Sequence, residues 1–387
     1  MSPARPKLAV LVNMLAPSRI PVYAGLSAHF DLLVLHGGTE SNRDSWHGLE
    51  SALPNAQITQ AWGWQIPIAR NVKGQVFDKQ YMHITPGYIW HLLRFQPHAV
   101  ISNEMGLRTL IALAYGTIFH KPVWVWWGGT THTEHKIGFL KKSLRKLVSR
   151  WATRWISYGH SSTEYLRTLG IPQERVLQIQ NAVDEQRFMQ AAEEPAQQLQ
   201  PRPVLLYVGQ FIARKGVELL LNAAAAVQAQ GHEFSLLLVG SGPDKPILEQ
   251  RIKDLELRNV SFQPSLPPDR MPSVYSGADV LVFPTLEDPW GLVVNEAMLS
   301  GLPVLCSKYA GCAEELLTAD SIFDPKNSEE FASKLRQAVS GQLPKPDLSR
   351  LKTMSQVVDQ LIRDLDARMS GPFRSLPATS TELPIQR

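Results

Sequence analysis

The chain has 387 residues, with 39 lysines and arginines against 35 aspartates and glutamates, and 44% of its residues are hydrophobic. This length exceeds one ordinary core, so we expect two domains, and the composition excludes a disordered or fibrous protein. Its two cysteines, Cys306 and Cys312, exclude a disulfide framework and a zinc site and favour a reducing compartment. The apolar runs at 8–15 and 110–119 are too short to span a bilayer, so any membrane role is expected to be peripheral.

Short apolar runs alternate with helical patterns in the first half of the chain. This alternation is typical of parallel strands buried on both faces by helices, and it predicts a doubly wound α/β domain over residues 1–188. The predicted strands are residues 8–12, 32–35, 99–102, 123–127 and 155–158. The predicted helices are residues 20–29, 107–119, 136–152 and 162–169.

A second α/β series follows a segment rich in Gln, Glu, Ala and Pro, residues 189–202, which is predicted to be a linker. Its predicted strands are residues 204–208, 236–239, 260–262, 280–283 and 304–306. They predict a second Rossmann-like domain over residues 203–345, facing the first across a cleft. An amphipathic helix is expected within residues 346–370. The Ser/Pro/Thr-rich residues 371–387 are expected to be a disordered tail.

Residues 136–155 carry basic side chains without an acid among them. The basic residues are Lys136, Lys141, Lys142, Arg145, Lys146, Arg150 and Arg154. The apolar residues between them follow helical spacing, so a basic face is expected to look outward. Such a helix can lie on an anionic membrane, where each basic residue contributes about 1 kcal/mol. It can equally pack its apolar stripe on the sheet with the lysines in water, and the two readings are compatible. No aromatic stacking platform accompanies the charge, so a nucleic-acid partner is not expected.

Two carboxylates, Asp288 and Glu296, are separated by seven residues where the strand at 280–283 gives way to a predicted helix. The carboxyl edge of a parallel sheet binds ligands in open α/β folds, so both side chains are expected in one cleft. Carboxylates can accept paired hydrogen bonds from the vicinal hydroxyls of a sugar or a ribose. Glu287, beside Asp288, is an alternative for the first position.

A glycine-flanked loop follows the strand at 204–208. Its candidate anion-binding residues are Gly209, Gln210, Arg214, Lys215 and Gly216. Backbone N–H groups at a helix N-terminus can hold an anion, and a lysine is a compact charge suited to a diphosphate. The glycines of the next loop, Gly240 and Gly242, allow a ligand to approach the backbone closely.

These motifs resemble those of the family-four retaining glycosyltransferases (glycosyl transferases group 1), which have the GT-B fold of two Rossmann-like domains. The resemblance implies that Asp288, or Glu287 beside it, binds the transferred sugar and that Glu296 binds the ribose. Lys215 matches the lysine of the family's phosphate loop. Gln210 stands where the family has an arginine, and Arg214 is a candidate to supply that charge.

Further contacts with the donor are implied by the same resemblance. The remaining candidate donor-binding residues are Gln263, Trp290, Gly291, Leu292 and Arg19. Gln263 ends a strand where the family holds the base through backbone groups, and Arg19 is a candidate for a phosphate or the acceptor. His132 follows the strand at 123–127 and is a candidate to contact the sugar or an acceptor hydroxyl.

The resemblance implies retaining transfer of a sugar from a UDP- or GDP-sugar to a glycan or lipid-linked acceptor bound by the first domain. No metal or cofactor is expected, and the final helix is expected to brace the first domain. Envelope polysaccharide or glycolipid synthesis is expected, in the cytoplasm or peripherally on the inner face of the plasma membrane. Two alternatives stay open: a sugar-nucleotide epimerase of the same fold, and a nucleotide-sugar-binding protein without catalysis.

Overall fold

Two parallel sheets organise the chain in a computed structural model that describes residues 5–38, 49–72, 75–135, 137–190 and 198–369. A seven-stranded sheet lies in the first half, up to residue 190, and a six-stranded sheet lies in the second half, from residue 198. The predicted tail at 371–387 and most of the predicted linker lie outside the described residues.

The first sheet has the order β3-β2-β1-β6-β7-β8-β9 with all neighbours parallel. The elements of the first half are β1 (Lys7–Val12), α1 (Ile20–His29), β2 (Asp31–His36), β3 (Ala56–Gln60), β4 (Trp64–Val72), β5 (Gln75–Ile84), α2 (Gly87–Phe95), β6 (Ala99–Asn103), α3 (Leu107–Phe119), β7 (Val123–Trp127), α4 (Phe139–Trp151), β8 (Arg154–Tyr158), α5 (Gly159–Thr168), β9 (Val176–Ile179) and α6 (Glu185–Met189). The predicted strands of this half are all present, because continuous apolar runs can be buried only between two layers of helices.

The second sheet has the order β12-β11-β10-β13-β14-β15, again parallel throughout. The elements of the second half are β10 (Val204–Val208), α7 (Val217–Ala229), β11 (Ser235–Val239), α8 (Lys245–Asp254), β12 (Val260–Gln263), α9 (Met271–Ser276), β13 (Val280–Phe283), α10 (Leu292–Leu299), β14 (Val304–Ser307), α11 (Ala313–Leu316), β15 (Ile322–Phe323), α12 (Ser328–Val339) and α13 (Met354–Met369). The strand order reverses at β10 and β13, so the loops after these two strands lie side by side.

An antiparallel hairpin, β4–β5, interrupts the first half where no strand is predicted from the sequence. Its backbone reaches across to the second half, where β5 lies beside the short 3₁₀ turn Ala213–Lys215. Trp64, Ile66 and Ile68 alternate along β4 and are exposed. Alternation is the signal of a strand, but here the apolar face is turned to solvent instead of a core.

Helix α4 is shorter than the helix predicted over residues 136–152, and Lys136 lies outside the described residues. The backbone becomes extended at Ala152, so Arg154 and Trp155 belong to β8. Counting them in the basic helical stretch is therefore wrong, whereas the predicted strand at 155–158 agrees with β8. Trp155 is buried in the core of the sheet.

Arg145 does not lie on the outer face of α4, contrary to the prediction from helical spacing. It is only 8% exposed. Its Nη1 pairs with the Glu134 carboxylate and donates a 2.9 Å hydrogen bond to the Tyr165 hydroxyl. Burial of the guanidinium is tolerated because a carboxylate and a hydroxyl satisfy it.

Helix α13 follows the second half in sequence but packs on α1 of the first half. Tyr23 and Leu26 of α1 share a core with Leu361 of α13. The indole N–H of buried Trp124 donates a 2.7 Å hydrogen bond to Asp364 of α13. A polar contact therefore fixes this helix on the first sheet.

Asp364→Ala is expected to lower the free energy of unfolding by about 1–3 kcal/mol, because the buried Trp124 N–H loses its acceptor. Asp366→Ala is the matched control on the same helix. Its carboxylate pairs with exposed His29 at 2.8 Å, and such pairs contribute at most about 1 kcal/mol. Urea unfolding followed by tryptophan fluorescence measures both, and equal losses would contradict this account of α13.

Candidate functional site

Lys215 and Asp288 form an ion pair where the loops after β10 and β13 meet. The Lys215 Nζ lies 2.5 Å from Asp288 Oδ2, and both side chains are largely buried. The other carboxylate oxygen, Oδ1, accepts a 3.0 Å hydrogen bond from the Trp290 N–H. Burial alone would raise the pKa of Asp288, but Lys215 and Arg214 together hold it below its ordinary value. Asp288 is therefore ionised beside a lysine.

Backbone contacts hold these two loops together. The Arg214 Nη1 donates to the Glu287 carbonyl at 2.9 Å, and the Leu286 N–H donates to the Arg214 carbonyl at 2.9 Å. Gly216 has φ +69°, and a Cβ there would lie 2.2 Å from the Pro284 carbonyl oxygen. Only glycine allows so close an approach in this backbone conformation.

Glu296, on α10, points to a different partner from Asp288. The buried Tyr275 hydroxyl of α9 donates a 2.6 Å hydrogen bond to Glu296 Oε2. Burial raises the pKa of Glu296 to about 7, although Tyr275 and Arg187 both act to lower it. The two motif carboxylates thus differ: Asp288 is held ionised by a cation, whereas Glu296 titrates near neutrality.

Trp290 supports the site from below the surface. Its side chain is buried, and the indole N–H donates a 2.8 Å hydrogen bond to the Asn295 amide oxygen. Gly291, with φ +102°, then turns the chain into α10, which begins at Leu292. Trp290 therefore contributes to the site through its backbone N–H, which donates to Asp288, and not through its buried side chain.

The glycine loops of the second half pack against one another. Gly209 N–H donates to the Val239 carbonyl at 3.0 Å, and Gly240 N–H donates to the Gln263 carbonyl at 2.9 Å. A Cβ on Gly240 would lie 1.8 Å from the Gly209 carbonyl oxygen. One lone pair of the Gln263 carbonyl is thus already engaged at the position predicted to hold the base.

Gly242 and Gln210 lie on the same edge of the second sheet. A Cβ on Gly242 would lie 2.3 Å from the Phe211 carbonyl oxygen. The Gln210 side chain is exposed, and its carbonyl accepts a 2.8 Å hydrogen bond from the buried Tyr207 hydroxyl. The predicted donor-side residues of these loops therefore share one edge.

The loop after β7 closes on this edge from the first half. The His132 ring packs edge-on against Tyr309 at 5.1 Å between centroids. His135 Nδ1 lies 3.9 Å from the Glu287 carboxylate. Burial lowers the pKa of His132, with a smaller opposing effect of Glu314. The structure thus separates the two candidates for the first motif carboxylate, because Asp288 faces Lys215 and Glu287 faces His135.

Arg19 lies on the first-half side of the cleft, immediately before α1. Its guanidinium stands 4.8 Å from the Trp126 ring and 4.4 Å from the Tyr158 ring. Burial lowers its pKa to about 10, an effect that Tyr23 partly offsets, so it stays charged at neutral pH. A cation held over aromatic faces at the ends of β7 and β8 is fixed in position.

Sequence reasoning did not select Tyr275, Asn295 or Tyr309. Each is partnered with a predicted site residue or with a neighbour of one. Their roles depend on contacts between separate elements, and neither spacing nor composition reveals these. The described residues contain no group of three or more His, Cys, Asp and Glu that could hold a metal ion. Within the described ranges, no helix has the length and apolar character that crossing a membrane requires.

Comparison with known proteins places the second half in a family. Residues 190–355 match the family model described as Glycosyl transferases group 1. The 2-deoxystreptamine glucosyltransferase of Streptomyces kanamyceticus is 28% identical over 221 residues, which are 53% of this chain and 56% of that protein. The D-inositol 3-phosphate glycosyltransferase of Corynebacterium urealyticum is 27% identical over 198 residues, 48% of this chain and 46% of that protein. The chain spans about half the length of the curated relatives it matches. The prediction of Glycosyl transferases group 1 is confirmed for this matched segment.

Solved structures extend the likeness to the whole fold. Anabaena Alr3699/HepE in complex with UDP superposes with a TM-score of 0.69 at 16% identity, over 93% of this chain and 100% of that one. The lipopolysaccharide outer core galactosyltransferase WaaB in its apo form gives a TM-score of 0.63 at 15% identity, over 94% and 96%. The prediction of a GT-B fold with two Rossmann-like halves is confirmed.

The raised pKa of Glu296 predicts a pH-dependent stability. In the unfolded chain this carboxyl titrates near about 4.3, whereas in the native protein it titrates near 7. Between these values the native state keeps a proton that the unfolded state has lost, so the free energy of unfolding falls as pH rises. The stability that the protonated Glu296 contributes is fully present below the pKa of the unfolded chain and is lost as the pH rises above 7.

Glu296→Gln removes this titration. Between pH 4 and pH 8, the free energy of unfolding of the variant should rise relative to that of the wild type by roughly 3 kcal/mol. Each unit of difference between the native and unfolded pKa values corresponds to about 1.4 kcal/mol. Urea unfolding at each pH measures the difference, and Glu218→Gln is a control at an exposed carboxylate. Parallel stability curves for wild type and Glu296→Gln would contradict the raised pKa.

Proposed function

We propose that this protein is a glycosyltransferase that moves a sugar from a UDP- or GDP-sugar to a hydroxyl of a glycan or lipid-linked acceptor, with retention of configuration. The observation that carries the proposal is the ion pair of Lys215 and Asp288, at the carboxyl edge of the second sheet and within the matched family segment. The curated relatives named above are glycosyltransferases, and solved neighbours are complexes with UDP, with UDP and glucose, and with UDP-glucose.

Departure of a nucleoside diphosphate leaves negative charge on its phosphates, and the sugar becomes an oxocarbenium-like cation. Lys215 ends the short turn that leads through Gly216 into α7, so it lies at the N-terminus of that helix. The lysine charge and the helix N-terminus together favour the departing diphosphate. Because the lysine and the helix N-terminus supply the positive charge, these groups would act without a divalent metal.

Asp288 and Glu296 are proposed to hold the two ends of the donor. The ionised Asp288 can accept hydrogen bonds from hydroxyls of the transferred sugar once the diphosphate takes over Lys215. Glu296 is proposed to accept from the ribose, with Tyr275 fixing one of its oxygens. Deprotonation of Glu296 near pH 7 would then favour donor binding, because only the carboxylate accepts on both oxygens.

Contacts between the halves are proposed to exclude water from the donor. The His132 ring lies against Tyr309, and Glu315 Oε2 accepts a 3.0 Å hydrogen bond from the His160 N–H at the start of α5. A closed cleft strengthens the electrostatic contacts inside it and suppresses hydrolysis of the nucleotide sugar. Arg19, on the same side as His132, is proposed to contact a phosphate or the acceptor.

The exposed face of α4 is proposed to rest on the inner face of the plasma membrane, with the protein otherwise in the cytoplasm. Phe139 and Leu140 are 85% and 81% exposed. Ile118 and Phe119, at the end of α3, are also exposed, near the opposite end of α4, where the Trp151 indole N–H donates a 3.0 Å hydrogen bond to the Thr117 hydroxyl. The outward basic residues are Lys141, Lys142, Lys146 and Arg150. Apolar and basic side chains on one surface suit an anionic interface, where an envelope glycolipid acceptor would be presented.

Lys215→Met should lower kcat by about 10²–10³-fold, as removal of one charge-stabilising donor does. It also leaves buried Asp288 without its cation, so a thermal melt checks that the variant is folded under the assay conditions. Lys253→Met, at an exposed lysine of the same half, is the matched control and should be neutral. Transfer is measured by release of UDP or GDP after a thermal-shift screen finds the donor. The anomeric configuration of the fresh product is determined by ¹H NMR, and EDTA should not change the rate.

Unchanged turnover in Lys215→Met would show that the lysine has no role in catalysis. A product with inverted anomeric configuration would contradict the proposed retention. An epimerised nucleotide sugar formed without any acceptor would identify an epimerase. Donor binding without transfer to any acceptor would identify a binding protein.

Replacing Lys141, Lys142, Lys146 and Arg150 by glutamine should weaken sedimentation with vesicles of phosphatidylglycerol and phosphatidylethanolamine. Each charge removed near the membrane surface should weaken the free energy of vesicle binding by about 1 kcal/mol. Arg145 is left in place because it is buried in an ion pair. The matched control replaces four exposed basic residues of the second half: Lys253, Arg258, Arg270 and Lys345. Equal sedimentation of both variants would show that the α4 surface is not a membrane contact.

A further inference from the structure

A second polar cluster lies across the cleft from the ion pair, at the carboxyl ends of β1 and β6. These strands are neighbours, and the order of the first sheet reverses between them. Asn13 follows β1, and Glu104 follows β6. In open α/β folds this reversal point is where ligands bind. The proposed donor site uses the equivalent point of the second sheet, so this cluster is a separate position.

Glu104 has a backbone conformation that side chains rarely adopt. Its φ is +64°, in the left-handed region. A non-glycine residue in this region is disfavoured by contact of its Cβ with the backbone, and such residues concentrate at functional sites. A glycine would relieve this conformation but would leave buried Arg108 without the carboxylate that it contacts at 2.9 Å.

A buried arginine holds the Glu104 carboxylate in place. Arg108 is 7% exposed, and its Nη2 donates to Glu104 Oε2 at 2.9 Å. Asn13 Nδ2 donates to the same oxygen at 3.2 Å. The Arg108 Nε donates to the Asn103 carbonyl at 2.6 Å, and its Nη1 donates to the Asn13 amide oxygen. The position of the carboxylate is therefore set before any ligand arrives.

The Glu104 carboxylate is open to solvent on the side away from Arg108. Its side chain is 61% exposed, and both side-chain hydrogen bonds end on Oε2. Glu134, in the loop that closes on the second half, has a raised pKa, mainly through burial and in small part through Glu104. Glu104 thus lies on the same edge as the loop that carries His132.

The chemistry of this position selects a neutral hydroxyl. An ionised carboxylate only accepts hydrogen bonds, so it binds hydroxyl donors and repels phosphates. Arg108 is buried, and its Nε, Nη1 and Nη2 atoms each donate a hydrogen bond within the cluster. Its charge is therefore not available to bind an anion from solvent. We propose that Glu104 binds a hydroxyl of the acceptor, and that the acceptor offers a neutral sugar or polyol ring at this position. This inference rests on the proposed glycosyltransferase function.

The test compares Glu104→Gln, Glu104→Gly and wild type in transfer to neutral alkyl glycosides and to the corresponding sugar phosphates. Both variants should lower kcat/KM for the neutral acceptor at least tenfold. UDP affinity by calorimetry should stay within twofold, since Glu104 lies away from the donor loops. Glu104→Gly removes one partner of buried Arg108 but relieves the left-handed backbone, and Arg108 keeps the Asn103 carbonyl and the Asn13 amide oxygen as acceptors. The variant should therefore melt no more than a few degrees below wild type.

Glu256→Gly is the matched control, because Glu256 also has a left-handed φ, +49°, and is exposed in the second half. It should leave kcat/KM and UDP affinity unchanged. Wild-type kcat/KM in Glu104→Gly would overturn the inference while leaving the glycosyltransferase function standing. Exclusive use of sugar phosphates by the wild type would also overturn the inference. A loss of kcat/KM in the Glu104 variants accompanied by equal losses of UDP affinity and thermal stability would overturn it as well. Failure of the wild type to transfer to any acceptor would overturn the proposed function itself, and this inference with it.

Discussion

The buried ion pair between Lys215 and Asp288 is the constraint around which the cleft is arranged. Removing two charges from water is costly, and each ion is tolerated here because the other lies 2.5 Å away. A ligand that separates them must therefore replace both partners, with an anion for the lysine and hydrogen-bond donors for the carboxylate. A nucleoside-diphosphate sugar carries both kinds of group at the required ends. The pair thus disfavours ligands that offer only one.

The ion pair depends in turn on how closely the loops of the second sheet approach. Gly216 brings the loop after β10 against Pro284, and Gly240 brings the next loop against Gly209. Any side chain at Gly216 or Gly240 would meet a carbonyl oxygen and push these loops apart. Because Lys215 sits directly before Gly216, its position relative to Asp288 is a consequence of that backbone contact.

The sequence predicts helices and strands where burial makes apolar residues recur at a regular spacing. It does not predict contacts between elements that are far apart in the chain. Helix α3 (Leu107–Phe119) and strand β13 could be predicted, because apolar spacing there reflects a buried layer. The hairpin β4–β5 was missed because its alternating pattern, with Trp64, Ile66 and Ile68 on one face, lacks the continuous apolar run of a strand buried on both faces. Arg145 was misplaced for a related reason: helical spacing gives its angle on α4 but not the Glu134 carboxylate that makes burial tolerable. Tyr275 was missed because its partner Glu296 is on another helix.

The same Arg145 connects the outer surface of the first half with the cleft. Its guanidinium pairs with Glu134, and it lies 5.0 Å from the Trp127 ring at the end of β7. Glu134 belongs to the loop whose His132 and His135 meet the second half. The buried face of α4 is thus joined to this loop through one ion pair and one strand end, while Phe139 and Leu140 lie on the exposed face of the same helix.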